Sequence, residues 1–236
     1  MKSFVQEIVV DFVSLFYPRY CFACNEGLAK GEEAICSRCR LELPRTYYHL
    51  HRDNALFKRL DGRIPLQYAF AFFQFRKGGN VQRLLHALKY NNHPEIGEVL
   101  GSVYGEELKE REYHQYFDAI IPVPLHASRK RKRGYNQSEE FAKGLSTTLG
   151  VPFSSSALVR TMQTETQTRK TKLKRWQNVR EVFQVNDLAM VQDKRILLVD
   201  DVITTGATIE ACAQVLLEEK CASISVASIA YAAEGK

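Results

Sequence analysis

The sequence predicts an α/β protein: a mostly parallel open sheet flanked by helices, with a small four-cysteine module toward its N-terminal end. Three observations predict it. Apolar runs with strand character alternate with stretches of helical spacing. The run "KRILLVDD" closes on two aspartates and turns at once into "TTGATIEACAQVLLEEK". Four of the six cysteines crowd into "CFACNEGLAKGEEAICSRC", whereas Cys212 and Cys221 stand far away and read as small core residues.

Taken in order, "MKSFVQEIVVDFVSLFYPRYC" predicts an amphipathic helix stopped by Pro18. Glu7 and Asp11 interrupt its apolar run and no small-residue cleavage site follows, so it does not read as a signal peptide. No apolar stretch is long enough to cross a bilayer, and a cytoplasmic, non-transmembrane protein is expected. Residues 1–45 are read as this helix with the cysteine module, 46–66 as a linker without clear periodicity, and 67–236 as the sheet domain. In that domain "YAFAFFQF" predicts a strand, Gly78-Gly79 a turn, and "NVQRLLHALKY" and "PEIGEVLGSVYGEELKER" helices. "FDAIIPVP" predicts a buried strand ended by prolines. "NQSEEFAKGLSTTLG" predicts a helix capped by Asn136, with Glu139 at the capping-box position and Gly150 past its end. "SISVASIAY" supplies a last strand.

A net charge of +6, from 33 basic against 27 acidic residues, favours anionic partners such as phosphates or nucleic acid. The cysteine spacing is C-x2-C-x11-C-x2-C. Each pair can form a knuckle presenting two thiolates to one ion, so Cys21, Cys24, Cys36 and Cys39 are read as a closed tetrahedral Zn2+ site. Two disulfides are the rival, disfavoured in a reducing compartment. Four thiolates leave no open coordination position, so the role is structural: the ion stabilises a segment too short to build its own core.

A strand that ends in acids and turns tightly into a helix delivers its loop to the carboxyl edge of a sheet, where open α/β folds bind ligands. Thr204 to Thr208 offer backbone N–H groups and three hydroxyls, Gly206 permits close approach, and the helix beginning near Ala207 adds its positive end. That is a phosphate site. Carboxylates only accept hydrogen bonds and suit the vicinal hydroxyls of a sugar, so Asp200 and Asp201 beside this loop imply a sugar phosphate. The plain alternative is an acid pair serving as helix cap and surface charge. A P-loop ATPase is excluded because no Gly-Lys-Ser/Thr occurs.

"VDDVITTGAT" resembles the phosphoribosyl-pyrophosphate (PRPP) motif of type I phosphoribosyltransferases. With the cysteine module, "IIPVPLHASRKRKRGYNQSEEFA" and "RTMQTETQTRKTKLKRWQNVREVF", nearly the whole chain resembles the ComF family of bacterial competence proteins. The resemblance implies a type I phosphoribosyltransferase-like fold. In it Asp200 and Asp201 hold the ribose hydroxyls and stabilise charge at the reacting carbon, while Thr204, Thr205, Gly206, Ala207 and Thr208 hold the 5-phosphate. It also implies Mg2+ arriving with PRPP, single-stranded DNA as a partner, and DNA-uptake machinery at the inner membrane. A phosphoribosyltransferase of nucleotide salvage and a non-catalytic PRPP sensor are the alternatives. No hood that would read a nucleobase is recognisable.

The basic run Arg129 to Arg133 is read as a loop, placed by the resemblance where pyrophosphate binds. Arg129, Arg131, Arg133, Arg169 and Arg175 are the expected contacts to pyrophosphate or DNA. Residues 160–180, with seven basic side chains and one acid, resemble the loop that closes over PRPP. Tyr135 and Trp176 lie among these cations, where aromatics can stack on unpaired bases, although core packing is the default for the single tryptophan. Lys89 is a second expected anion contact, whereas His86 and His93 read as packing or surface residues.

Overall fold

The structure is a computed structural model that describes residues 19–161 and 182–233. The expected N-terminal helix, Arg169, Arg175 and Trp176 lie outside the described residues. Strands β1 (Leu66–Gln74), β2 (Ala119–Pro122), β5 (Arg195–Ile203) and β6 (Ser223–Tyr231) form one parallel sheet in the order β1-β6-β5-β2. A short antiparallel pair, β3 (Leu158–Arg160) and β4 (Phe183–Val185), flanks the basic segment. Parallel strands are covered on both faces and therefore need continuous apolar runs. The stretches Phe70–Phe73 and Ile196–Val199 are buried throughout.

Helices cover each face. On one side lie α3 (Asn80–Tyr90), α4 (Glu95–Glu110) and α6 (Gln137–Leu149). On the other lie α2 (Ala55–Leu60), α7 (Ala207–Glu218) and the β3-β4 pair. Helices α4 and α6 touch backbone to backbone: a Cβ on Gly101 would overlap the Phe141 carbonyl, and one on Gly144 the Glu98 carbonyl. This close contact sets the start of α6, which carries part of the site. Strands β2 and β5 are pinned together at their amino ends by a forked pair, with Arg195 donating from Nη2 to Asp118 Oδ1 at 2.7 Å and from Nε to Oδ2 at 2.9 Å. The Arg195 side chain, helped by its own backbone N–H, holds the Asp118 carboxyl down at about 2.

The cysteine module contributes α1 (Ser37–Glu42), and the chain leaving it pairs with β1. Gln74 N–H donates to Pro44 O at 2.7 Å and Thr46 N–H to Phe72 O at 3.1 Å. The module's Ala34 and Ile35 share a core with Phe70, Phe72 and Leu88, so it is fused to one face of the sheet.

Three expectations change here. The segment read as a featureless linker contains α2, capped by Asn54 through Phe57 N–H at 2.9 Å. Its Leu56 and Leu60 are fully buried, each burial contributing about 2 kcal/mol. Six residues are too few for a helical period to emerge, and the sheet face supplies what local propensity does not. The basic run is not a loop: Ala127–Arg133 form α5, capped by His126 and ended by Gly134 in the left-handed conformation. Asn136 does cap α6, accepting from Ser138 N–H at 3.3 Å, but Glu139 turns away from a capping box to pair with Lys130 at 3.2 Å.

Candidate functional site: an acid pair, a threonine turn and a cationic cleft

All four sheet strands run the same way, so the ends of β2 and β5 fall on one edge. There Asp200 and Asp201 are the sixth and seventh of the nine residues of β5, and Val202 and Ile203 lead from them into the turn to α7. Thr204, Thr205, Ala207 and Thr208 are exposed and Gly206 is buried. Gly206 has φ +79°, which an L side chain rarely tolerates, and a Cβ there would overlap Leu60 Cδ2. Arg63, just after α2, donates from Nη1 to Thr205 O at 2.7 Å and pairs through Nη2 with Glu210. The segment read as a linker thus braces the threonine turn from behind. Sequence reasoning missed Leu60 and Arg63, since neither lies near the motif in the chain.

The two acids are not equivalent. Asp200 keeps a partly exposed edge, yet most of its carboxyl is enclosed. Its Oδ1 accepts from Ser138 Oγ at 3.0 Å and from Asp201 N–H at 2.8 Å. Burial pushes the Asp200 carboxyl up to about 7 and the Asp201 charge adds to the rise; the two donors and Lys89 oppose it without cancelling it. Asp201 is paired with Lys89 Nζ at 2.8 Å. Lys89 therefore meets a carboxylate in this state. Ser138 was not foreseen either; it reaches Asp200 only because α6 begins against the end of β5.

The raised carboxyl makes a stability prediction. A folded-state value near 7 against about 4 in the unfolded chain means the folded protein binds more protons between those pH values, so this group's contribution falls as pH rises through the window and levels off above it. Asp200→Asn keeps an acceptor for Ser138 and Asp201 N–H but cannot ionise. The difference in melting temperature, Asp200→Asn minus wild type, should grow between pH 4 and pH 8 to about 5 °C in favour of the variant. A difference that does not change with pH would sink this account.

Beside Lys89 lies a cleft of about 540 Å³ lined by Lys89, Tyr90, Asn92, Arg129, Lys132 and Arg133. Of the expected contacts it gathers Lys89, Arg129 and Arg133, while Arg131 is exposed and does not line it. Tyr135 corrects an expectation: it is buried and its hydroxyl donates to Leu88 O at 2.5 Å, so it anchors the end of α5 to α3 and offers no stacking face. Asn136 Nδ2 adds a bond to Val123 O at 2.9 Å, fastening the same turn to the end of β2.

In the cysteine module the ligand atoms of Cys21, Cys24, Cys36 and Cys39 lie within 4.8 Å of one another, and Cys24 Sγ is 3.7 Å from Cys36 Sγ. Tetrahedral thiolates about 2.3 Å from an ion would stand about 3.8 Å apart, so the donor set fits a metal. Backbone N–H groups of Cys36 and Cys39 donate to Cys21 Sγ and Cys36 Sγ, each at 3.4 Å. Burial alone would raise the Cys21 thiol, but N–H donors from Cys24, Cys36 and Ala23 bring it down to about 7, whereas burial and the neighbouring thiols push Cys24 and Cys39 up, so without an ion the four cannot all be thiolates. Phe22, inside the first knuckle, lies 4.2 Å from the His93 ring, so the module touches the turn that carries Asn92 of the cleft.

A covered parallel sheet, an acid pair ending a central strand, and an exposed threonine turn opening a helix together define a phosphoribosyltransferase-type domain. The phosphoribosyl transferase domain family matches residues 111–236. DNA utilization protein YhgH of Escherichia coli O157:H7 is 31% identical over 227 residues, covering 90% of this chain and 96% of its own length. Competence protein F of Haemophilus influenzae is 27% identical, with 92% and 99% covered. Competence protein ComFC of Bacillus subtilis is 26% identical, with 95% and 90% covered. The chain belongs to this ComF family of phosphoribosyltransferase-like competence and DNA-utilization proteins. Among the described residues no helix is long and apolar enough to cross a membrane.

Proposed function

We propose that this protein binds PRPP at the edge of its sheet and single-stranded DNA beside it, and that it serves DNA uptake in the cytoplasm at the uptake machinery of the inner membrane. One observation carries the PRPP part: two carboxylates near the end of β5 stand two residues before an exposed threonine turn at the amino end of α7. In the reading, Thr204 to Thr208 hold the 5-phosphate and Asp200 and Asp201 hold the ribose hydroxyls. Asp200, with its carboxyl near 7, can donate as well as accept toward those hydroxyls at neutral pH. Lys89, placed between the acids and the cleft, can exchange Asp201 for the pyrophosphate. Mg2+ bound with PRPP supplies charge neutralisation of the pyrophosphate, a hard-oxygen task for which carboxylates and phosphates are suited. A transfer step would be driven by positioning and by the acids' field on the developing sugar cation. Zinc on Cys21, Cys24, Cys36 and Cys39 holds the module closed. The names of the relatives, DNA utilization and competence proteins, support the DNA part.

Calorimetric titration of Mg2+-PRPP into wild type and into Asp200→Asn/Asp201→Asn tests it, followed by a pyrophosphate-release assay. Wild type should bind and the double variant should lose at least about 100-fold, because each carboxyl becomes a neutral amide that keeps one acceptor oxygen and loses the charge. Release without an added base points to water or DNA as acceptor, and binding without release to a sensor. A wild type that does not bind PRPP ends the PRPP part of the reading.

A further inference from the structure

Tyr90, at the end of α3, keeps 63% of its surface in water, unusual for an aromatic beside a functional edge. The Arg133 guanidinium lies 5.1 Å from its ring centre and the His86 ring 4.8 Å away. Arg133 is held in place: its Nη1 donates at 2.8 Å to Oε1 of Gln137, a side chain only 1% exposed. A buried amide that gives its acceptor to a surface guanidinium fixes that guanidinium over the tyrosine. The Nε2 end of the same amide is buried without a hydrogen-bond partner among the described residues. Among the described residues the cleft lining holds four cations, one aromatic, one amide and no carboxylate. Its volume of about 540 Å³ suits a nucleotide.

The geometry points to this cleft as the seat of an unpaired base in a single-stranded DNA, stacked on the exposed platform that the Tyr90 ring and the Arg133 plane form together, with Arg129 and Lys132 on the flanking phosphates. A free neutral base would leave the cations without work, and pyrophosphate held at Lys89 would leave the exposed ring and the outer cations without work; a polynucleotide strand beside it uses both. Lys89 joins this seat to Asp201, so the base lies next to the sugar-binding acids. The inference rests on the DNA part of the proposed function and gives it a place and a stacking residue.

The test is fluorescence anisotropy of the full, metal-loaded chain with a labelled oligothymidylate of about a dozen nucleotides and with the same backbone carrying abasic sites. Tyr90→Phe should bind as wild type does. Tyr90→Ala should lose about ten-fold for oligothymidylate, keep wild-type affinity for the abasic strand, and leave the salt dependence unchanged. Arg129→Ala/Lys132→Ala should instead flatten the plot of log affinity against log salt by about 1.4 and weaken both strands alike. Unchanged oligothymidylate affinity in Tyr90→Ala, with wild type still binding, overturns the seat and leaves DNA binding standing. A wild type that binds neither strand overturns the DNA part of the proposed function and the seat with it.

Discussion

Stripping the metal from the cysteine module should lower the melting temperature by about 10 °C or more, and zinc should restore it fully, whereas magnesium or calcium at equal concentration should not. Purified protein should carry about one zinc per chain, since four thiolates close one tetrahedral site. The size of the effect follows from burial. Cys21, Cys36 and Cys39 are 1%, 7% and 3% exposed, so removing the ion leaves crowded thiolates in an apolar surrounding or forces them to take up protons. The damage would not stay local, because Ala34 and Ile35 share a core with Phe70 and Phe72, and Arg45, just past the module, pairs with Glu107 of α4. The Phe22–His93 contact would also loosen, which should weaken binding in the cleft. Cys36→Ser/Cys39→Ser should reproduce the loss without chelator. A protein freed of all metal whose melting temperature does not move would remove the closed-site account.

Gly206→Ala should abolish measurable PRPP affinity while costing about 3 kcal/mol of stability. Two causes add. The backbone at Gly206 sits at φ +79°, and the new methyl would overlap Leu60 Cδ2. The turn must then move, and with it the N–H groups proposed to hold the phosphate. The two causes can be separated. Leu60→Ala alone empties a fully buried position and should cost about 2–4 kcal/mol. Combined with Gly206→Ala it removes the overlap, so the double variant should be more stable than the two single costs predict, by about 1 kcal/mol or more in urea unfolding. PRPP affinity should stay lost, since the backbone strain persists. Strictly additive costs would mean that α2 does not brace the turn.

Much of this protein could be read before any fold was known. Strands β1, β5 and β6 are long apolar runs, and α3, α4 and α6 carry two or more turns of helical period, so their existence and order follow from side-chain spacing. The acid pair, the threonine turn and the four-cysteine spacing are contiguous, and contiguous chemistry is visible in a chain. The helix α2 was hidden because six residues have no period to show, and α5 because five like charges in a row read as a solvated loop. Its helicity depends on the Gly134 cap and on Tyr135 reaching Leu88, a contact 47 residues away.

The sequence by itself determined which residue types meet at the end of β5, because a strand, its turn and the next helix are neighbours in the chain whatever else folds around them. Only the tertiary structure decided what that end becomes. Ser138 reaches Asp200 across 62 residues, Lys89 joins Asp201, and Arg63 grips Thr205 across 142. Tyr90 and Arg133 become walls of one cleft in the same way. Burial and neighbouring charge, which push Asp200 up to about 7, are properties of the packed sheet edge, and no local pattern encodes them.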